Sequence, residues 1–168
     1  LSRGLGDVYK RQYKIGVFPM ANNQDDPKID FFDPDPRGII PLENFHISRS
    51  LRKLIRKRIF KVTHNAAFSI ILEGCSRISR NRPTTWINHE IKTVYKQLFD
   101  MGYCHSIEIW CGKSIVGGLY GVSIGAAFFG ESMFSLKPNA SKVALVHLVA
   151  SLKQEGFVLL DSQFPNKH

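Results

Sequence analysis

Apolar positions along the chain change their spacing several times, and each change marks an element. Over Thr85–Met101, Trp86, Ile87, Ile91, Val94, Tyr95, Leu98 and Phe99 recur every three or four residues. That spacing predicts a helix, with Gly102 as its stop. A shorter helix is predicted around Asn65–Cys75. Beyond Gly102 the pattern tightens to short apolar runs, read as strands over Tyr103–Cys111, Ile115–Ser123 and Ala126–Gly130. "NASKVALVHLVASLKQEG" returns to helical spacing, with Asn139 as N-cap and Gly156 at the far end. A last strand over Phe157–Leu160 then delivers "DSQ". Helices, three antiparallel-type strands, a helix and a further strand make an α+β domain, a mostly antiparallel sheet flanked by helices.

The first third of the chain is read differently. Residues 1–12, "LSRGLGDVYKRQ", match no periodic pattern and are expected to be a non-native leader outside the fold. Residues 13–36 are expected to be the remnant of a small N-terminal domain with its connector. Pro19, Pro27, Pro34 and Pro36 make that stretch a turn-rich irregular segment. The main domain is then 37–168.

Charge adds a partner. The 168 residues carry 23 basic and 14 acidic side chains, a formal net charge of +9. An excess of this size favours a polyanion if it is clustered. It is: "HISRSLRKLIRKRIFK" holds seven basic residues between Arg49 and Lys61 and no acid. Read as a helix, it buries Leu51, Leu54 and Ile55 and sets Arg49, Lys53 and Arg56 on one exposed face, at i, i+4 and i+7. Without acidic partners that face reads as a phosphate-binding surface rather than a merely solvated one. The three cysteines have no CxxC spacing and the histidines no metal-ligand spacing, so neither a disulfide scaffold nor a zinc site is expected. Every apolar run is too short to span a membrane.

The candidate chemistry is carboxylic. Asp161 and Gln163 stand two residues apart at the end of the last strand, and Glu131 at the end of another. If those strands are neighbours, two carboxylates and an amide meet at one rim, suited to a positively charged acceptor. On the residues alone, Asp161 capping a turn and Glu131 pairing with Lys142 are open alternatives. The strand–loop–helix resembles the core of GNAT-type acyltransferases. The loop "SLKPNASK" contains no glycine, however, which argues against the coenzyme A pyrophosphate cradle.

"GVFPMA", "FHISRSLRK", "TWI", "HSIEIW", "VGGLYGV", "FFGESMFS", "ASKVAL" and "DSQ", in this order, resemble the leucyl/phenylalanyl-tRNA–protein transferase family from Tyr13 to His168. The resemblance implies a small N-terminal domain and a GNAT-like acyltransferase domain in a bacterial cytoplasmic, monomeric enzyme without cofactor or metal. Its activity would be transfer of leucine or phenylalanine, and methionine less well, from aminoacyl-tRNA to proteins beginning with Arg or Lys, marking them for degradation. It assigns Asp161 and Gln163 to polarising the acceptor α-amine and Glu131 to holding the cationic acceptor. The glycines around Glu131 would admit the donor and acceptor backbones. Arg49, Lys53 and Arg56 fall to the tRNA backbone, and Trp86 and Tyr95 to the 3′ adenosine. Met20, Leu119, Phe128, Leu145, Leu152 and Leu160 fall to the pocket for the donated side chain. Ser162 stands where the family has cysteine, and Phe31–Phe32 where it has tryptophans. The family's "GG.LS" and "SLGA" segments are absent, which implies a fragment lacking parts of both ends. Two alternatives stay open: a non-catalytic tRNA- or RNA-binding domain, and an aminoacyl-tRNA-dependent peptidyltransferase of the cell-wall type.

Overall fold

The structure, a computed structural model, describes residues 3–165. Residues 1–2 and 166–168, the ends of the expected leader and of the expected main domain, lie outside the described residues. The elements in chain order are α1 (Arg3–Lys14), β1 (Phe18–Ala21), β2 (Ile29–Phe32), β3 (Gly38–Ile40), α2 (Arg49–Arg56), β4 (Lys61–His64), α3 (Phe68–Ser76), α4 (His89–Asp100), β5 (Cys104–Cys111), β6 (Ser114–Ile124), β7 (Ala127–Ser135), α5 (Ala140–Gln154) and β8 (Leu159–Gln163).

β1 and β2 form a small antiparallel pair, and the other strands make one sheet ordered β3-β8-β7-β6-β5-β4. Every neighbouring pair is antiparallel except β7 and β8, which run parallel because α5 carries the chain back across the sheet. The expected α+β class with a mostly antiparallel sheet is thus what the chain adopts.

Each face of the sheet buries its own apolar layer. Phe68, Ile71, Leu72, Ile91, Val94, Tyr95 and Leu98 from α3 and α4 pack with Tyr9 and Tyr13 of α1 over Cys104, Tyr120, Val122 and Phe129. On the opposite face, Val143, Ala144, Leu148, Val149 and Leu152 of α5 cover Ile107, Ile109, Leu119, Phe128 and Leu160. Adjacent residues such as Leu119 and Tyr120, or Phe128 and Phe129, fall in opposite layers, as the two-residue period of a strand requires. The glycines of β6 serve this packing. A Cβ at Gly118 would collide with Ile71 of α3, and one at Gly117 with Ala140 of α5.

Several expectations are corrected. Residues 3–12 belong to the fold: α1 contributes buried Tyr9 and Tyr13, and Leu5 packs against the same layer. The proline-rich stretch contains β1 and β2, because none of its prolines has to donate inside the larger sheet. Trp86 and Ile87 precede α4, which begins after Asn88, whose Oδ1 accepts from Ile91 N at 2.8 Å. Asn139 is left-handed (φ 67°) and does not cap α5. Ser135 Oγ accepts from Ser141 N instead, at 2.8 Å. Leu51, Leu54 and Ile55 are only half-buried, since α2 rests loosely on the α5 layer. "DSQ" lies inside β8 rather than beyond it.

Candidate active site

Glu131 lies in the middle of β7, not at a strand end. Tyr120 of β6 pairs with Ser132 and Gly121 with Gly130, so Glu131 is the extra residue of a β-bulge. The bulge shifts the side-chain phase. Phe129 and Glu131 face the α3–α4 layer, and past the bulge Ser132, which reaches Cys75, and Phe134 do so too. A carboxylate is thereby delivered into a hydrophobic layer, 8% exposed.

Three donors from three elements meet it. Tyr13 of α1 donates to Oε1 at 2.5 Å, while Tyr95 of α4 and Gln163 Nε2 of β8 donate to Oε2 at 2.8 and 3.0 Å. The two tyrosine hydroxyls are 2.9 Å apart. Burial pushes the Glu131 carboxyl up to about 7, Asp161 adds to the rise, and the three hydrogen bonds hold it back. Burial, and then the Glu131 charge, pushes Tyr13, Tyr95 and Tyr120 well above the ordinary phenol range. Lys142 is not a partner of Glu131 among the described residues. The expected direct contact between Glu131 and an acceptor cation is corrected as well, because both carboxylate oxygens already face protein donors inside the layer.

β8 lies beside β7, with Phe129 opposite Asp161 in the parallel register. The expected meeting of Asp161, Gln163 and Glu131 is therefore real. Asp161 Oδ1 accepts from the backbone N of Gln163 at 2.8 Å, a turn that holds Gln163 at φ 67°. Few residues other than glycine adopt that conformation. Asp161 Oδ2 lies 2.9 Å from Arg37 Nε, an ion pair whose N–H is not aimed along the contact. Arg37 also donates from Nη1 to the Gly16 carbonyl at 2.6 Å and stands over the Phe18 ring. Both oxygens of Asp161 are thus engaged. The turn-capping alternative describes one of them.

The six apolar residues expected in one pocket are not gathered together. Leu119, Phe128 and Leu152 line a cavity of about 250 Å³ on the α5 face, with His64, Asn65, His105 and Ser123 also in its walls. Met20 and Trp86 line a separate open cleft of about 470 Å³, closed on another side by Phe32 and Phe164. Phe164 directly follows Gln163, so this cleft adjoins the polar cluster. Leu160 is sealed in the core, and Leu145 is a half-buried flank of α5. Tyr95 is fully buried, with its ring against Tyr120, so stacking on an adenosine is corrected to holding Glu131. Arg49, Lys53 and Arg56 are all exposed, and none forms a salt bridge among the described residues.

Sequence reasoning passed over two members of the cluster. Leu5, Tyr9 and Tyr13 recur every four residues, a helical stripe hidden once residues 1–12 are set aside. Arg37 had only its isolation between prolines and glycine to mark it.

The chain is similar to proteins of one described family and, in fold, to a solved structure. The profile of the family described as "Leucyl/phenylalanyl-tRNA protein transferase" matches residues 39–168. A curated relative of that same description from Maricaulis maris (strain MCS10) is 58% identical over 167 residues, which are 99% of this chain and 77% of the relative. Among solved structures, that of L-PGS from Bacillus licheniformis superposes with a TM-score of 0.51 at 10% identity, a likeness of fold. The overlap covers 94% of this chain and half of that one. With the cluster formed by "FFGESMFS" and "DSQ" at its centre, the chain belongs to the leucyl/phenylalanyl-tRNA–protein transferase family.

Proposed function

We propose that this chain transfers leucine or phenylalanine, and methionine less well, from aminoacyl-tRNA to the α-amine of proteins beginning with Arg or Lys, and that the product is a degradation signal. One observation carries the reading: Gln163 gives its amide nitrogen to Glu131, no protein donor reaches its Oε1 among the described residues, and the next residue, Phe164, lines the cleft of Trp86. That oxygen accepts a hydrogen bond from the acceptor amine and turns the nitrogen lone pair toward the donor ester. The nitrogen attacks the ester carbonyl, an amide bond forms, and the ester C–O bond breaks. The amine's lost proton ends on the ribose oxygen.

An α-amine has an ordinary pKa of about 8 and the donor is an activated ester, so positioning supplies much of the rate. Asp161, with both oxygens engaged, orients Gln163 rather than acting as a free base. The cavity of Leu119, Phe128 and Leu152 takes the donated side chain, and Arg49, Lys53 and Arg56 take tRNA phosphates. Every residue of the cluster comes from one chain, which fits a monomer. No described helix is long and apolar enough to cross a membrane, consistent with work in the cytoplasm.

The test is transfer of labelled leucine from charged tRNA to Arg- and Lys-initiated peptides, with N-acetylated peptides as controls. Label on the free-amine peptides alone is expected. Tight tRNA binding without transfer would return the chain to the RNA-binding alternative.

A further inference from the structure

Glu131 has a second consequence for the reaction beyond being buried. Its carboxylate meets the nitrogen end of a primary amide whose two ends are nearly the same shape and opposite in hydrogen-bonding character. An ionised carboxylate only accepts, so it selects the amide N–H2 and directs the Gln163 carbonyl outward. A protonated carboxyl donates, and can hold the carbonyl oxygen instead. We propose that the charge on Glu131 sets which end of the Gln163 amide faces the acceptor: carbonyl outward when Glu131 is ionised, N–H2 outward when it is protonated. The inference rests on the reading that Gln163 Oε1 receives the acceptor amine.

The surroundings leave Glu131 as the member that titrates near neutral pH. Tyr13 faces it from α1, Tyr95 from α4, Tyr120 from β6 and Cys104 from β5. Asp161 and Gln163 face it from β8, with Arg37 beyond Asp161. Cys75 of α3 stands behind Tyr120 and Ser132. Burial holds the three tyrosines and Cys104 well above their ordinary ranges, so they stay neutral at pH 7, as does Cys75, pushed up to about 12. The Glu131 carboxyl itself is raised to about 7. No lysine or arginine pairs with it among the described residues, so a change in its proton is felt by its three hydrogen-bond partners. Tyr13 and Tyr95 adjust by turning one O–H to accept. Gln163 adjusts by rotating its amide, which changes what the acceptor meets.

Glu131→Gln fixes the turned state. With its N–H2 at the end that Tyr95 and Gln163 share, the new amide donates to the Gln163 carbonyl and to the Tyr95 hydroxyl, and its oxygen accepts from Tyr13. The ratio of wild-type to Glu131→Gln transfer rates cancels the titration of the acceptor amine. That ratio is expected to be about tenfold or more at pH 8.5 and to fall toward about twofold at pH 6. A ratio constant across pH, with Gln163→Leu severely impaired, overturns the switch while sparing the role of Gln163. Gln163→Leu transferring at the wild-type rate overturns the underlying reading as well. A readout independent of activity is the side-chain N–H2 signal of Gln163 in a ¹⁵N–¹H spectrum of the wild type, assigned by its loss in Gln163→Leu. It is expected to move with a midpoint near pH 7 in the wild type. A Gln163 signal that does not shift between pH 5.5 and 8.5 overturns the proposal.

Discussion

Two carboxylates are buried in the sheet, and they are held in opposite ways. Glu108 of β5 is fully buried and receives four donors. Thr63 Oγ1 lies at 2.5 Å and Ser106 Oγ at 2.6 Å, and the backbone N atoms of Ala66 and Ala67 each lie at 3.3 Å. Those donors are short hydroxyls and fixed amides, and Ala67 is the N-cap of α3, where a negative charge is favoured. Glu131 receives only long side chains, from three elements that lie far apart along the chain, α1, α4 and β8. Glu108 ties one local junction, whereas Glu131 couples distant elements and its carboxyl is raised by burial. Similar burial therefore says little about role. The identity of the donors says more.

The difference can be broken from either side. The largest effect is expected at Glu108→Ala, which leaves four donors without their acceptor, buried Ser106 among them, and opens a cavity. A loss of about 3–5 kcal/mol is expected in denaturant unfolding, with the transfer rate of the folded fraction little changed. A small loss would mean that water replaces the carboxylate.

Glu131 is expected to behave in reverse. Its folded value of about 7 lies above the ordinary 4.5, so between those values the folded state holds the extra proton and stability falls as pH rises. Above pH 7 the penalty of the buried charge is complete, about 3 kcal/mol. Melting of Glu131→Gln against wild type should show its relative stability rising by about that amount from pH 4.5 to 8, even as transfer slows. A pH-independent difference would overturn the raised value of Glu131.

Arg37→Met removes the cation beside Asp161. About 2 kcal/mol of stability and about tenfold in transfer should go, with Arg37→Lys recovering part of each. Equal losses of stability for both substitutions, without a rate effect, would make Arg37 a packing residue. The smallest change in stability, within about 0.5 kcal/mol, is expected for glutamate at Arg49, Lys53 and Arg56. There the readout is tRNA affinity against salt, whose log–log slope should fall by about 0.9 or less per lost contact.

The sequence made the scaffold legible where one period persists. The apolar spacing of α4 and α5 and the runs of β5 and β6 translate almost directly into elements. It misled where the period breaks for a local reason. At Glu131 the bulge changes the side-chain phase, and a reading by strict alternation ends the strand at Gly130. β1 and β2 were hidden because prolines are informative only once it is known which strands lack neighbours. The juxtaposition of Glu131 with "DSQ" was foreseen from strand ends. Tyr13 and Arg37 were not, because their roles depend on contacts 118 and 124 residues away in the chain.

The parallel pairing of β7 with β8 has a consequence in time. β8 follows α5 and lies between β7 and β3, so it can take its place only after α5 has crossed the sheet. Contacts so distant in sequence form slowly. The tyrosine layer and the basic helix belong to parts of the chain that emerge earlier from a ribosome, while Asp161 and Gln163 arrive with β8. A growing chain would thus have its basic helix before its carboxylate–amide cluster, which forms only once β8 has joined the sheet.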